Sequence, residues 1–344
     1  MKVTVLILLL YLNACHKPTQ VKNLPQAVTN NAVTFIQSQK GLEFYSFNGL
    51  ASGKTWKDIH KLGYVYKNNH WSKIKMPDLS KPVLASTAVS IGTTVYMIGG
   101  YTVDANSEEK SVSAIYALNT QTQTWRLATH MPIPVDDTVA LVYANRYIYL
   151  ISGWHDTDNV SGVQVYDTQL KHWFKATDYP APAVFGHSGG IVGNQMIICD
   201  GVKVVVKDKS RDFISSPVCL KGAIDEKTPE KIAWEEIPHH TQIAYYRMAA
   251  TGDKLSNRVV FAGGSDNPYN YNGIGYDSVP SLASNHVFIY DFNTNKWVKN
   301  SIKIQATMDH RSLLTDGYDF YILGGMDSQQ HVLSNVQKFS IKSK

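Results

Sequence analysis

The chain has 344 residues, with 33 Lys and Arg against 28 Asp and Glu, which gives a formal net charge of +5. The charges are well mixed and no basic run occurs, so the composition argues against a nucleic-acid partner. The length is compatible with two or three average domains, or with one closed β architecture.

The N-terminus has the pattern of an export signal. A positive start is followed by the apolar run 3–12, which is too short to span a bilayer as a helix. The next residues, Leu12-Asn13-Ala14-Cys15, resemble a bacterial lipobox. We therefore expect a signal peptide over 1–14 and lipidation of Cys15. His16 follows, and the resemblance favours an outer-membrane lipoprotein facing the periplasm or the cell surface. An ordinary cleaved signal with an incidental cysteine is the alternative.

The rest of the chain repeats one unit. Tryptophans recur at intervals of 54, 48, 61 and 63 residues, at Trp71, Trp125, Trp173, Trp234 and Trp297. Six apolar runs end in glycine, at Asn48-Gly49, Gly99-Gly100, Ser152-Gly153, Asp200-Gly201, Gly263-Gly264 and Gly324-Gly325. A period near fifty residues is typical of β-propellers.

The runs are rich in Val, Ile, Tyr and Phe and are bounded by Gly, Asn and Asp, as strands and turns are. The glycines predict a tight turn with φ > 0 in a crowded place. The tryptophans predict plates that pack between adjacent sheets while the indole N–H donates to a partner.

These markers resemble the kelch repeat, which has a di-glycine, a tyrosine and a tryptophan over four strands. The resemblance covers residues 18–344 and implies an all-β, six-bladed kelch-type β-propeller, with 15–344 as a single domain. The last copy lacks a tryptophan strand. Because an open ring leaves two exposed sheet edges, we expect residues 18–25 to supply the outer strand of the last blade.

In such a ring, the loops before the first strand and after the second strand of each blade share one face. Fourteen residues before the closing glycine, Ser86, His187 and Arg311 occupy one equivalent position. Arg247, Asp136 and Asp137 fall near that position. His187 and His310 are candidate acid/base groups, with a structural donor role as the alternative.

Arg247 and Arg311 are predicted to form a fork for a carboxylate at the channel mouth. The alternative is that they form salt bridges to Asp136, Asp137 or Asp309 that tie the blades together. Both alternatives stay open on the sequence.

The longest distinctive loop is 265–277, which is rich in Tyr and Asn. Long loops in compact domains are usually functional, and Tyr and Asn suit sugars or protein surfaces. With Trp154 of another loop, the predicted ligand-binding residues here are Asp266, Asn267, Tyr269, Tyr271 and Asn272. The alternative is that the loop only caps blade five.

No cofactor and no metal are expected. The stretch 155–159 lacks the glycine and terminal glutamate of a calcium loop and reads as a polar turn. Cys199 and Cys219 fall on probable neighbouring strands of one blade and can form a disulfide in an oxidising compartment.

Two functions remain. Lipid anchoring and the lack of a complete catalytic constellation favour a module that binds a carbohydrate or an envelope protein, besides its membrane attachment. Among kelch propellers the chain also resembles the bacterial sialic acid mutarotases (N-acetylneuraminate epimerases), which implies acid/base ring opening of an anionic sugar. Fold alone does not decide between a binding module and an enzyme.

Overall fold

The computed structural model describes residues 21–38, 41–208 and 210–341. The predicted signal peptide, residues 1–14, and the lipidation site Cys15 lie outside the described residues. No helix in the described ranges is long and apolar enough to cross a membrane.

Within these ranges the chain forms six antiparallel blades and three two-stranded hairpins. Blade one contains β1 (Ala32–Ser38), β2 (Gly41–Phe47), β3 (Gly63–Lys67) and β4 (His70–Ile74), with a short 3₁₀ helix at Trp56–Asp58. Blade two contains β5 (Thr87–Ile91), β6 (Thr94–Ile98), β9 (Ala114–Asn119) and β10 (Thr124–His130); its second and third strands are joined through the hairpin β7 (Tyr101–Val103) and β8 (Glu109–Ser111).

Blades three and four repeat this plan, each with its own hairpin. Blade three contains β11 (Val139–Tyr143), β12 (Tyr147–Ile151), β15 (Val163–Asp167) and β16 (His172–Ala176), and its hairpin is β13 (Trp154–His155) and β14 (Asp158–Asn159). Blade four contains β17 (Ser188–Val192), β18 (Gln195–Cys199), β21 (Cys219–Ile224) and β22 (Ile232–Ile237), and its hairpin is β19 (Val202–Lys207) and β20 (Ser210–Ser215).

The last two blades are less regular. Blade five contains β23 (Ala249–Asp253), β24 (Arg258–Ala262) and β25 (Ser284–Asp291), and both β26 (Lys296–Trp297) and β27 (Lys303–Thr307) pair with β25. Blade six contains β28 (Leu314–Thr315), β29 (Phe320–Leu323) and β30 (Val336–Phe339). The architecture is the predicted six-bladed, all-β propeller.

Apolar side chains between neighbouring blades form the core. In one such layer Tyr45 and Phe47 of blade one pack with Val95 and Met97 of blade two, and all four are buried. Burial of apolar surface is the main favourable term in folding, so each blade is stabilised chiefly by its neighbours.

Both positions of the six glycine-ending pairs adopt positive φ, from 52° to 74° at the first and from 83° to 123° at the second. Asn48, Ser152 and Asp200 occupy the first position, which short polar side chains tolerate. At the second position a Cβ on Gly100 would lie 2.4 Å from the carbonyl oxygen of Leu84. The second position therefore requires glycine, because it packs directly against the start of the same blade's first strand.

Each repeat tryptophan donates its indole N–H to the preceding blade. Trp125 donates to the carbonyl of Lys75 at 2.8 Å, and Trp297 to that of Pro238 at 2.6 Å. The predicted inter-blade role of these tryptophans is confirmed.

The same contact shows how the ring closes. Trp71 of blade one donates to the carbonyl of Lys22 at 2.8 Å, so Lys22 takes the place that the end of a fourth strand takes elsewhere. Leu24 N–H donates to the carbonyl of Ser334 at 2.8 Å, next to β30. No strand is assigned over residues 21–25, but this segment completes blade six as expected.

Candidate functional site

A ring of left-handed residues surrounds the mouth of the central channel, one from each blade. Its members all have φ between 48° and 72° and lie just before the first strand of their blades: Asn30, Ala85, Asp137, Gly186, Arg247 and Asp309. Hydrogen bonds join them blade to blade; for example, Arg247 N–H donates to the carbonyl of Gly186 at 2.8 Å. We call this set the mouth ring.

At Gly186 in the mouth ring, the space is too small for a side chain. A Cβ on Gly186 would lie 1.9 Å from the ring of Tyr246. Gly186 therefore serves the turn that leads into β17.

The mouth ring corrects one sequence alignment. By backbone conformation His310, not Arg311, corresponds to Ser86 and His187, because each directly follows the left-handed residue of its blade. The bridge before the first strand spans Met308 to Met326 in blade six but Phe185 to Val202 in blade four, so blade six holds one additional residue. In blade six, counting fourteen residues back from the closing glycine therefore gave a position one residue too far along the chain.

Four charged side chains lie at this ring: Asp137, Arg247, Asp309 and Arg311. We call them the charged cluster. Arg247 binds Asp137 through Nη2 at 2.5 Å and Asp309 through Nη1 at 2.9 Å, and all three side chains are at most 3% exposed. Arg311 donates to Asp137 through Nη1. The structure thus brings both predicted arginines together and engages them in the inter-blade salt bridges that the sequence had left as an alternative.

The long loop of blade five, residues 263–283, covers the mouth ring. Tyr269 is fully buried, and its ring lies 5.5 Å from the guanidinium of Arg247. Tyr271 packs against Leu84 and Tyr101 of blade two, and Gly273 lies beside Gln330 of blade six. The loop therefore crosses the channel mouth and does more than cap its own blade.

A concave pocket of about 260 Å³ remains beside this loop, and we call it the upper pocket. Six aromatic residues line it: Tyr101, Trp154, Phe185, Phe213, Tyr271 and Tyr276. Phe213, from the blade-four hairpin, stacks on Tyr276 with ring centroids 4.3 Å apart and planes 20° apart. The polar lining residues are Glu109, Asp136, Asp137, Arg247 and Asn270.

Two carboxyl groups of the upper pocket, those of Asp136 and Glu109, have raised pKa values. Burial raises the pKa of Asp136 to about 7, and the nearby Glu109 adds to the rise, against the lowering effect of the hydrogen bond from Ser111 Oγ at 2.6 Å. Partial desolvation also raises the pKa of Glu109, whose residue remains exposed to solvent. Asp136 is therefore balanced between its neutral and charged forms near pH 7, which suits a general acid or base.

The upper pocket contains four of the predicted ligand-binding residues, Arg247, Asp137, Trp154 and Tyr271. Arg311 lies beside Asp137, outside this pocket, and the others lie elsewhere in the loop. Asp266 is exposed. Asn267 Nδ2 donates a hydrogen bond to Asp277 Oδ1 at 3.1 Å. Asn272 Oδ1 accepts the N–H of Ile274 at 3.0 Å and so stabilises a turn.

The two predicted catalytic histidines do not line the upper pocket. His187 donates Nε2–H to the carbonyl of Ile151 at 2.8 Å, and His310 Nε2 lies 2.8 Å from Thr307 Oγ1. Burial lowers the pKa of His187 to about 4 and that of His310 to about 3. Both are therefore neutral at pH 7, and these contacts favour the structural role.

Sequence reasoning missed most of the aromatic wall and the acidic pair. Tyr101, Glu109, Phe185 and Phe213 were not predicted. Asn270 and Tyr276 were not singled out within the predicted loop 265–277, and Asp136 was placed near the channel face but considered only as a salt-bridge partner. Phe213 and Glu109 lie on hairpins inserted between the second and third strands of their blades. The unusual length of these insertions is the one signal that the sequence offered.

A cluster of possible metal ligands, Asp200, Cys219, His239 and His240, lies between blades four and five. His239 and His240 contact separate oxygens of Asp200 through Nε2 at 2.5 and 3.0 Å. However, His239 Nδ1 accepts the N–H of Gln242 at 2.7 Å, so Nε2 carries the proton. A metal-bound histidine instead donates its other ring N–H, and the contacts favour a hydrogen-bonded clamp.

Cys219 is also engaged in a disulfide. It pairs directly with Cys199 across strands β18 and β21, and their sulfur atoms are 2.05 Å apart. The bond joins the second and third strands of blade four, where the sequence had placed it.

Comparison with known proteins agrees with this architecture. The family described as the KLHDC2/KLHL20/DRC7 Kelch-repeats domain matches residues 3–203, which is more than half of the chain. The chain belongs to the kelch-repeat family.

Similar proteins resemble this kelch propeller over part of their length. Kelch-like protein 15 of Gallus gallus is 21% identical over 173 residues, covering 49% of this chain and 33% of that protein. An F-box/kelch-repeat protein of Arabidopsis thaliana is 29% identical over 100 residues, covering 29% of this chain and 35% of that protein. The chain thus spans about a third of these relatives.

A solved structure extends the similarity to the whole propeller. The protein titled "Structure of YjhT" superposes with a TM-score of 0.73 at 13% identity, covering 94% of this chain and 98% of that one. At this identity the match shows the fold alone.

Proposed function

We propose that this kelch propeller binds a carbohydrate, and that the upper pocket takes a single sugar unit. The observation that carries the proposal is that aromatic rings and carboxyl groups line one and the same concave pocket. Sugars present flat C–H faces that pack on aromatic rings, and hydroxyl groups that bond to carboxylates and amides.

The charge balance favours an uncharged sugar in this pocket. Asp137 and Asp309 neutralise Arg247, and the remaining ionisable groups on the wall, Glu109 and Asp136, are acidic. A carboxylate on the ligand would be repelled by these acidic groups. The carboxylate fork predicted from Arg247 is therefore not supported in the upper pocket.

A second candidate function is sugar mutarotation, favoured by the two carboxyl groups with raised pKa values. One would take the proton of the anomeric hydroxyl while the other protonates the ring oxygen. The bond between the anomeric carbon and the ring oxygen then breaks, and the ring closes again on either face. The sequence resemblance to sialic acid mutarotases points to the same reaction class.

The binding test is a titration of the purified protein with a panel of neutral monosaccharides, followed by saturation-transfer NMR and calorimetry. Tyr276→Ala should weaken binding at least about tenfold, because it removes a stacking face. Tyr318→Ala, an exposed tyrosine of blade six that does not line the pocket, is the matched control. Unchanged affinity in Tyr276→Ala, or no binding of any sugar by the wild type, would contradict the proposal.

Mutarotation is tested on the same sugars by exchange NMR between the two anomers. We expect the wild type to accelerate the exchange and Asp136→Asn to lose most of the acceleration while still binding the sugar. If the wild type binds these sugars without accelerating their anomer exchange, mutarotation of these sugars is excluded and the binding function remains.

We further propose, from the sequence pattern alone, that Cys15 carries a lipid that holds the propeller at a membrane. Cys15→Ala should move the protein to the soluble periplasmic fraction. Continued sedimentation of this variant with membranes would show that the cysteine is not the anchor.

A further inference from the structure

The upper pocket contains an acidic pair, Glu109 and Asp136, with which no Lys or Arg of the described residues forms a salt bridge. Strand β8 presents Glu109 and Ser111 on one face, because side chains two residues apart in a strand point the same way. Ser111 Oγ donates to Asp136 Oδ2 at 2.6 Å, so this face brings the two carboxyl groups to one part of the pocket. Lys110 lies between Glu109 and Ser111 in the strand, and its side chain therefore points to the opposite face.

The two arginines near this pair are already engaged. Arg247 and Arg311 act to lower the pKa of Asp136, but both form salt bridges within the charged cluster, where two arginines meet two aspartates and the charges cancel. Burial and the charge of Glu109 outweigh the effect of the arginines and raise the pKa of Asp136 to about 7. The acidic pair therefore retains attraction for a further positive charge, which would favour the ionised form of both carboxyl groups.

The aromatic rings of the upper pocket suit the same charge. Four of the lining rings are partly exposed and can be reached by a ligand: Trp154, Phe213, Tyr271 and Tyr276. The face of an aromatic ring carries negative charge density and attracts an ammonium group. An organic cation in this pocket thus meets favourable charge on the rings as well as on the carboxyl groups.

The two carboxyl groups differ in how a ligand meets them. Glu109 is exposed to solvent, so its carboxylate can contact an ammonium group directly. Asp136 is 1% exposed and acts on a ligand mainly through its charge. Glu109 is therefore the residue that positions a cationic group in the upper pocket.

From these contacts we propose that the sugar bound in the upper pocket is an amino sugar, whose ammonium group lies at Glu109 beside the aromatic rings. This inference rests on the proposed function and refines its ligand. A neutral sugar fits the pocket, and an ammonium group in place of one hydroxyl group adds an ion pair and a cation–π contact.

The test compares glucosamine with glucose and with N-acetylglucosamine, which keeps the nitrogen and loses the charge, in calorimetric titrations of the whole protein. At about pH 6 the primary amine of glucosamine carries its proton, whereas the other two sugars are uncharged. We expect the wild type to bind glucosamine at least about tenfold more tightly than either neutral sugar. Added salt should reduce this preference, because it screens an ion pair at an exposed carboxylate.

Glu109→Gln should reduce the preference for glucosamine over glucose at least about fivefold, because it removes the charge and keeps the shape of the side chain. Glu108→Gln is the matched control, since Glu108 is the preceding residue, is also exposed and does not line the pocket. Its preference should equal that of the wild type.

The outcomes separate this inference from the proposed function. Equal affinity of the wild type for the three sugars would overturn the amino-sugar assignment and leave the sugar site in place; this comparison does not require any variant to fold. A preference for glucosamine that Glu109→Gln retains in full would also overturn the assignment, since the ammonium group would then lie elsewhere. If none of the three sugars binds, the proposed function and this inference are both wrong.

Discussion

Asp136 and Asp137 are adjacent in the chain and have opposite electrostatic surroundings. Asp137 accepts hydrogen bonds from two arginines, whereas Asp136 accepts one from a serine hydroxyl and faces the pocket. Both aspartates line the upper pocket, but only Asp137 also pairs with Arg247 and Arg311.

The raised pKa of Asp136 predicts a pH dependence of stability. In the folded protein Asp136 keeps its proton up to about pH 7, against an ordinary value of 3.8, so folding takes up a proton between these values. The contribution of Asp136 to the free energy of unfolding therefore falls as the pH rises from about 4 to about 7, by roughly 4 kcal/mol at most. Asp136→Asn stays neutral. The melting temperature of the variant minus that of the wild type should therefore increase across this range and stay constant above it.

The measurement is thermal unfolding of both proteins from pH 4 to pH 8. Asp158→Asn, an exposed position on the blade-three hairpin, should show no such gain. A constant difference between wild type and Asp136→Asn would mean that Asp136 is ionised throughout.

At the scale of elements, insertions between the second and third strands build the site on top of a regular ring. Phe213 comes from the blade-four hairpin and Tyr276 from the blade-five loop, 63 positions apart in the printed sequence. The regular blades supply the charged cluster, and the irregular insertions supply the aromatic wall. Variation in the insertions can therefore change the ligand without disturbing the propeller.

The glycine-ending turns give an element-scale prediction. In Gly100→Ala the new Cβ would lie 2.4 Å from the Leu84 carbonyl and 2.9 Å from Ser86 N, both backbone atoms, while φ is +97°. We expect a loss of about 2–4 kcal/mol in the free energy of unfolding, measured by urea denaturation.

Gly92→Ala is the matched control for this loss. Gly92 also has a positive φ, +56°, but a Cβ there meets no atom within 4 Å. Its loss should stay near 1 kcal/mol, which is the conformational cost alone. Equal losses in the two variants would show that crowding against the first strand does not set the requirement for glycine.

At the scale of the whole molecule, the N-terminal segment joins the last blade to the first. Val21, Leu24 and Val28 pack with Leu314 and Tyr321 of blade six and with residues of blade one, and all are buried. The ring is therefore closed by a segment about 300 residues from its partner in sequence, as Leu24 and Ser334 show.

Leu24→Ala tests the closure. Leu24 is 4% exposed, so the truncation leaves a cavity at the junction and should cost about 2–4 kcal/mol in urea denaturation. Leu255→Ala, at a leucine that is 63% exposed, should change stability by less than about 0.5 kcal/mol. If the two variants were equally stable, the N-terminal segment would contribute little to closing the ring.

The sequence by itself determined the propeller, because each blade repeats the same local requirements. Glycine is needed where φ is positive and a carbonyl lies close, and tryptophan where a plate must fill the space between sheets and donate to the preceding blade. The last copy's missing strand likewise indicated closure by the N-terminus. Such requirements are set within a repeat or between neighbours, so they appear as a pattern in the chain.

Only the tertiary structure decided what the channel mouth contains. Asp137, Arg247 and Asp309 come from three blades, and their pairing depends on the curvature of the whole ring, which no spacing in the sequence encodes. The same holds for the stacking of Phe213 on Tyr276. Local patterns specify the blades, whereas the chemistry of the site arises where distant side chains converge on the axis.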